Sequence, residues 1–585
     1  MTKFLGASGD LPTCPDPVVE APHRQSVSGI TVALRGGPVW VDGVIAADPA
    51  GAVLEAYRTH GTDFLRHLTG RFALAVIDRP ARRTVLALDR MGIERLAYAQ
   101  LGENVVFSSS AEEVARFPGL QARLRPQALF DYLLLHQVPA PDTVFEGVFK
   151  LRPGTCAVLE GGRLTVDRYW TPRFADGRAA SFTELRDELL QSLHDAVSAC
   201  DPDESTAAFL SGGLDSSTVA GMLGRVTGRP PRTFSIGFGV DGFDELEYAR
   251  IASRQFGAVA HEYEVTADDI VDTLPRIAAA YDEPFGNSSA VPTFCCARFA
   301  AQHGVQHLLA GDGGDELFGG NERYVRQRIF EAYRRIPSGL RTGVIEPLVR
   351  LIDPESRITP ARKLRSYVDQ ARIEMPERLE SWNYMYRIDL GAMLDPEFRA
   401  AVDTRAALRN MAEVYRSSPS DDFLHRMLFF DWHYTLSDND LRKVSRMCEL
   451  AGVRVSFPML DPRVIELSLK VPPAMMVKGM ELRSFYKEAM KGFLPDRILR
   501  KKKHGFGLPF GVWLKSHAKL GELVYGLLSD LKSRRIVRPD FLDTLIREHR
   551  DGHPGYYGYA IWDLAMLEAW LQAHASARPS GHSAA

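Results

Sequence analysis

The chain has 585 residues, 45% hydrophobic and 25% charged, with a formal net charge of −3. That length divides into two or three domains, and the near-neutral balance gives no electrostatic footprint for nucleic acid or an anionic membrane. Six cysteines (Cys14, Cys156, Cys200, Cys295, Cys296 and Cys448) are too few for a disulfide scaffold and form no CxxC pair, which suits a reducing cytoplasm.

Residues 1–25 read as a polar lead. It carries Asp10, Asp16 and Glu20 without a long apolar run, so no signal peptide is expected, and Lys3 and Phe4 do not begin a buried strand. No stretch anywhere reaches the roughly 20 apolar residues that span a bilayer. Over 26–170 the chain predicts an α+β unit. TVAL, VWVDGVI, FALAVI, TVLALD, VVFSS and CAVLE read as short strands, while GAVLEAYRTHG and PQALFDYLLLH have helical spacing.

TPRFADGRAA marks a linker, 171–182. From 183 to 572 the pattern predicts a doubly wound parallel sheet followed by a helical part. AAFL, TFSIGF, EYEV and HLLAGD are apolar strands separated by helices, and helices dominate beyond Tyr324. The last segment, 573–585, is rich in Ser, Gly, Pro and His and reads as a flexible tail.

FLSGGLDSSTVAGML, Phe209 to Leu223, carries the sharpest signal. A strand turning through Ser-Gly-Gly into a helix aims backbone N–H groups at an anion above the turn. Gly212 and Gly213 permit close approach, and Ser211, Ser216 and Ser217 add hydroxyls. Asp215 would repel phosphate directly but suits Mg²⁺ beside it. The spacing is neither GxGxxG nor GxxxxGK[ST], which disfavours the dinucleotide fold and the lysine-bearing phosphate loop.

HLLAGDGGDELFGG repeats that logic. An apolar strand reaches Gly311, and Asp312, Gly313, Gly314 and Asp315 follow in one turn. Ligands bind beyond the carboxyl ends of such strands, so both turns should face one crevice. There Asp215 and Asp315 can hold Mg²⁺ on the phosphates of a nucleotide, and Asp312 can orient or deprotonate a nucleophile.

ILRKKKHGFGLPF places Arg500, Lys501, Lys502 and Lys503 before a Gly-rich turn. The run reads either as a solvated face or as a cation that stabilises charge developing on pyrophosphate. Lys501 and Lys502 are expected to be solvated neighbours, and His504 is read as structural. Ser235, Ile236 and Gly237 end a strand where backbone groups could read adenine or ribose. In the segment that Asp282 and Glu283 open, Glu283 and Asn287 read equally as nucleotide or substrate contacts or as helix caps, and Cys295 and Cys296 read as buried structural thiols.

SGGLDSS, SIGF and GDGGDELFGG together resemble the ATP pyrophosphatase domain of the asparagine synthetase superfamily. The resemblance implies adenylation of a carboxylate by Mg·ATP, release of pyrophosphate and attack of an amine on the acyl-adenylate. It places Ser211, Gly212, Gly213, Asp215 and Ser216 in the pyrophosphate loop, Asp215 and Asp315 on magnesium, and Asp312 at the acidic position. Lys503, in Lys-x-Gly-Phe, matches the lysine that stabilises the adenylation and amide-forming transition states.

GRFALAVID, LDRMGIERLAY, VFSSS and VPAPDTVFEGVFKLRPG resemble the family's N-terminal-nucleophile amidotransferase half. Position 2 is threonine where a working glutaminase has cysteine, and Trp40 to Val44 lacks the Asn-Gly-Glu turn, so no glutamine hydrolysis is expected. An amide ligase without glutaminase needs an amine already on its substrate, or free ammonia. β-Lactam synthetases resemble the chain less well, since their turn has tyrosine where Asp312 stands. Lasso-peptide cyclases are similar to it. They join an Asp or Glu side chain of a short peptide to its N-terminal amine, and such a peptide would be delivered by a protease or leader-binding partner. Ser445 and Gly452, where ordinary synthetases read Asp and Glu, suggest a helical wall remodelled for a larger substrate. Ammonia-dependent asparagine synthesis or another small-molecule amide ligase, and a nonenzymatic scaffold, are the alternatives, and the oligomeric state is left open.

Overall fold

A computed structural model of the chain describes residues 4–8, 19–120, 122–175, 181–240, 242–243, 245–353, 359–501, 507–552 and 554–574. Thr2, Lys3, Cys14, Lys502, Lys503, His504 and the tail from 575 lie outside the described residues. Eleven described strands precede residue 169: β1 (Leu5–Ala7), β2 (Val19–Glu20), β3 (His23–Val27), β4 (Ile30–Trp40), β5 (Leu68–Asp78), β6 (Arg83–Leu88), β7 (Ala97–Leu101), β8 (Asn104–Ser108), β9 (Phe149–Lys150), β10 (Thr155–Glu160) and β11 (Arg163–Arg168). Five follow: β12 (Thr206–Phe209), β13 (Arg232–Gly237), β14 (Val259–Glu264), β15 (His307–Leu309) and β16 (Arg454–Ser456).

The first eleven form two antiparallel sheets, ordered β2-β1-β8-β7-β9 and β11-β10-β6-β5-β4-β3. Their stacking follows from the period-2 pattern of β5. Ala73, Ala75 and Ile77 point to the inter-sheet layer with Tyr98, Val105 and Phe107. Phe72, Leu74 and Val76 point the other way, onto helix Pro49–His60. A slip of one residue would exchange those two apolar faces.

The N-terminus departs from its sequence reading. Phe4 is fully buried, and β1 follows it directly, paired with both β8 and β2. Leu-Gly-Ala carries too little pattern to be legible, yet Phe4 packs on Phe107 with ring centroids 5.6 Å apart. Tertiary pairing supplies what propensity lacks.

The remaining strands form one wholly parallel sheet, ordered β14-β13-β12-β15-β16. The chain winds outward from β12 to β14, then returns to the other side of β12 as β15. That reversal makes a switch point between β12 and β15, where a crevice opens at the strands' carboxyl ends. Helices Leu214–Thr227, Leu246–Phe256, Ala267–Ala280 and Ala290–Gln302 cover the sheet. Burial on both faces explains the unbroken apolar runs, with Ala207, Ala208, Leu308 and Leu309 all fully buried. The part beyond Tyr324 is helical as expected, with β16 as a short parallel edge strand.

The architecture is therefore an α+β sandwich joined to an α/β unit with a helical C-terminal part. One apolar cluster runs from Ala99 and Val106 of the sandwich into helix Ala290–Gln302 and the last helix, Pro554–Ala573. Buried charges reinforce it. Glu449 binds Arg35 at 2.9 Å and Arg95 at 3.2 Å. Among the described residues no helix is long and apolar enough to cross a membrane.

Candidate active site

The loop after β12 is shaped by its first glycine. Gly212 has φ 69, and a Cβ there would lie 2.4 Å from the backbone N of Ala249. Only glycine fits so tight a passage under helix Leu246–Phe256. Gly213 then opens helix Leu214–Thr227, whose N-terminus has no side-chain cap. The Ser211 and Ser216 hydroxyls lie 3.0 Å apart, and Ser216 Oγ accepts from the Ser211 N–H at 3.2 Å. This arrangement presents hydroxyls and a helix N-terminus on one side, as an anion site requires.

The loop after β15 touches the first one. A Cβ on Gly311 would stand 2.7 Å from the Ser216 N, and one on Gly314 would stand 2.0 Å from Asp215 Oδ1. Both glycines are needed for that approach. Ser211, Gly213, Asp215 and Ser216 thus share one cavity of about 600 Å³ with Ser235 and Ile236 from β13 and with Gly311, Asp312 and Asp315. The Ser235 hydroxyl is turned to the strand beside it and donates to the Leu210 carbonyl at 2.6 Å. Gly212, Ser217 and Gly237 do not line the cavity; Ser217 is fully buried behind it.

Among the described residues Lys443, Arg483, Lys487, Arg500 and Lys501 bring positive charge to the cavity. Three of them, Arg483, Lys443 and Lys501, make close ion pairs with other residues of its lining, and the sequence reading missed the first two. Arg483 donates from Nη1 to Asp215 Oδ2 at 2.6 Å and to Asp315 Oδ1 at 3.0 Å, and from Nη2 to Asp215 Oδ1. Burial opposes its charge, but Asp215 and Asp315 outweigh it and raise its pKa. Lys443 donates to Asp440 at 2.8 Å in the cavity wall. Asp312 stands beside this pair. Burial chiefly, with Asp440 and Asp215, pushes its carboxyl up to about 6, against the pull of Lys443.

The third is Lys501, and here the expectation of a solvated neighbour is overturned. Its side chain is only 7% exposed, binds Glu245 at 3.1 Å and lies 4.5 Å above the Tyr248 ring. Nζ also donates to the Gly212 carbonyl at 3.4 Å, so it ties the first loop in place. A charge run read alone cannot show that its second member turns inward. Lys503, the sequence's own choice, lies outside the described residues.

Asp282 and Glu283 do not line this cavity, and Asp282 caps a helix of the sandwich, Ala111–Ala115. Arg442 reaches Asp282 at 3.0 Å and Glu283 at 3.1 Å. Asp282 also accepts from the Ala111 N–H at 2.8 Å, in the sandwich. Burial opposes ionisation of Asp282, but Arg442, Arg95 and Arg446 hold its carboxyl far below the usual range. Asn287 donates to Asn439 at 2.6 Å and lines a second cavity rather than this one. Lys443 and Val444, not Ser445, face the active cavity from helix Arg442–Leu450, and Gly452 serves a turn at φ 75. Cys295 and Cys296 are buried, as expected of structural thiols, and burial pushes the Cys295 thiol up to about 12.

The donor set fits a nucleotide-borne Mg²⁺. Asp215 and Asp315 converge from two loops on one guanidinium, and no described group of three His, Cys, Asp or Glu residues could hold an ion unaided. A hard octahedral cation held by two carboxylates takes its other ligands from phosphate and water.

Comparison with known proteins agrees with this geometry. The asparagine synthase family model matches residues 188–572, and a glutamine amidotransferase domain model matches 47–170. A putative glutamine-hydrolysing asparagine synthetase of Mycobacterium tuberculosis is 28% identical over 539 residues, covering 90% of this chain and 80% of that one. Glutamine-hydrolysing asparagine synthetase 1 of Bacillus subtilis is 24% identical over 521 residues, covering 88% and 80%. Amidase chry2 of Gibberella zeae is 23% identical over 517 residues, covering 81% and 74%.

Proposed function

The chain belongs to the asparagine synthase family, and we propose that it makes an amide by way of an acyl-adenylate. It is an ATP-dependent carbon–nitrogen ligase. The proposed course is attack of a substrate carboxylate on the α-phosphate of ATP, release of pyrophosphate, and displacement of AMP by an amine. The observation that carries it is the meeting of the two Gly-rich loops at the switch point, with Asp215, Asp312, Asp315, Lys443 and Arg483 on one cavity.

In this reading Ser211, Gly213, Ser216 and the helix N-terminus hold the departing pyrophosphate, and Gly212 shapes the turn that places them. Ser217 supports that turn from behind, and Ser235, Ile236 and Gly311 form the nucleoside side, with Gly237 ending the strand beside them. Asp215 and Asp315 would hold Mg²⁺, which when bound offsets phosphate charge. Asp312, with its raised pKa, accepts a proton from the attacking amine. Lys503 places positive charge where the reacting carbonyl and phosphate become more negative.

For the acid we propose an Asp or Glu side chain of a short peptide, joined to that peptide's own N-terminal amine as in a lasso-peptide macrolactam. A protease or leader-binding partner would deliver it. Support comes from a second cavity of about 870 Å³, lined by Asn287, Asn439, Trp382, Tyr384, Tyr559 and Trp562. A cavity of that size with aromatic walls suits a peptide better than a free amino acid. The unpaired described cysteines favour a reducing cytoplasm. The second reading is amidation of a small acid such as aspartate by ammonia, favoured by the likeness to asparagine synthetases.

The test is product analysis with ATP, Mg²⁺ and each acid in turn. AMP and pyrophosphate are expected, with loss of one water from the peptide mass and no glutamate from added glutamine. ADP as the stoichiometric product would overturn adenylation. Turnover with aspartate and ammonia but with no peptide would favour the second reading.

A further inference from the structure

Two carboxylates that face each other repel unless a cation lies between them. Here the cation is a side chain, and its hydrogen bonds use both oxygens of Asp215 and Oδ1 of Asp315. We propose that Arg483 is a positioning residue that holds Asp215 and Asp315 at a fixed separation and competes with a divalent ion for their oxygens, so that metal enters only together with the nucleotide. The inference rests on the reading of Asp215 and Asp315 as the metal-holding pair.

Arg483 is built into its place. Its side chain is 4% exposed, and the guanidinium carbon lies 4.2 Å from the centre of the Tyr486 ring. Tyr486 in turn donates from its hydroxyl to Thr218 Oγ1 at 2.9 Å, on the helix that follows the first loop. The Arg483 backbone sits at φ 56, in the left-handed region that non-glycine residues avoid. The second loop closes from the other side, since a Cβ on Gly320 would stand 1.8 Å from Asp315 Oδ1 and 2.9 Å from Arg483 Cδ. A residue held in a disfavoured conformation by packing on both sides is fixed there by its surroundings.

The planar fork explains why arginine stands here. Five donors in one plane can span two carboxylates from different loops, which one ammonium cannot do. The same fork offers a way to yield. Polyphosphate oxygens can accept the donors that now serve Asp215 and Asp315, and the released carboxylate oxygens can then coordinate the ion that the phosphates bring. A hydrated ion alone supplies no acceptor for the guanidinium, so displacing it would leave a buried cation unpaired.

The experiment follows Mn²⁺ binding by electron paramagnetic resonance, with and without the α,β-methylene analogue of ATP, in the full chain. Wild type should bind Mn²⁺ weakly alone and tightly with the analogue. Arg483→Met should bind nucleotide-free Mn²⁺ about ten-fold more tightly, because the guanidinium no longer occupies the carboxylate oxygens that the ion would take. Arg483→Lys should fall between the two. Should the methionine variant fail to fold, the lysine variant decides alone. Nucleotide-free affinity unchanged from wild type in the folded variants overturns the proposal. No Mn²⁺ binding in any form, even with the analogue, would instead overturn the metal assignment of Asp215 and Asp315.

Discussion

Lys150, in the short edge strand β9 of the sandwich sheet that faces the parallel-sheet unit, donates to Glu283 Oε2 at 2.8 Å across the boundary between them. Glu283 is 2% exposed and also accepts from the Val144 N–H at 3.0 Å. With Arg442 on its other side, the carboxylate joins three segments that lie far apart in sequence. Such a group stabilises only while all its partners remain charged and placed.

Glu283→Gln tests whether this carboxylate serves structure. The change leaves Lys150 and Arg442 buried with less negative charge, at a cost of about 3–5 kcal/mol. Thermal melting should show a clear fall, while the KM for ATP in the folded fraction stays near wild type. A raised KM with an unchanged melting temperature would return Glu283 to the nucleotide site.

A chain starting at residue 183 should be insoluble. It loses Lys150 from Glu283, the Ala111 N–H from Asp282, and Arg35 and Arg95 from Glu449. It also uncovers the apolar face that meets Ala99 and Val106. The fraction in the supernatant after expression is the measure. A soluble, monodisperse truncation would show that the sandwich is dispensable for folding.

Asp312 gives the site a pH signature. Its folded pKa is about 6 against an ordinary 3.8, chiefly because of burial. Between those values the folded chain binds more protons than the unfolded one, so this group's contribution to stability falls as pH rises through that window. Asp312→Asn should abolish that part of the slope, read as the difference in melting temperature from wild type between about pH 4 and pH 7. Coupling of amine should rise through about pH 6 in the wild type as the base ionises, and Asp312→Asn should lack that limb. An identical stability slope in both proteins would contradict the raised pKa.

The acidic half of the site is legible in the sequence because each carboxylate follows an apolar strand through glycines, and that local order fixes where it points. Gly212, Gly311 and Gly314 carry the same information, since close approach leaves them no substitute. The basic half is not legible. Arg483 meets Asp215 across 268 positions, from a turn before the short helix Ser484–Ala489 that no spacing marks. Lys443 lies in helix Arg442–Leu450, where the sequence does not show which side chains face the cavity. Asp282 and Glu283 were ambiguous because their partners, Ala111 and Lys150, stand 171 and 133 positions away. The parallel sheet was legible from its apolar runs, whereas β1 was not, because three residues carry no pattern and depend on β8.

The lysine run provides the sharpest separation of roles. Lys503→Ala should leave ATP binding largely intact and cut amide formation by about 10²-fold or more, since charge placed where negative charge develops acts mainly in the transition state. Lys503→Arg should rescue poorly, because a guanidinium does not replace a compact ammonium. Lys501→Ala should behave differently. It frees the Gly212 carbonyl and leaves Glu245 without its cation, so the loop that receives phosphate loosens and the KM for ATP rises more than kcat falls. Lys502→Ala should be nearly silent. Pyrophosphate release and product mass, followed in parallel for all four variants, give the comparison. Equal losses at Lys501, Lys502 and Lys503 would indicate a diffuse basic surface that grips an acidic peptide, and Lys503 would lose its catalytic assignment.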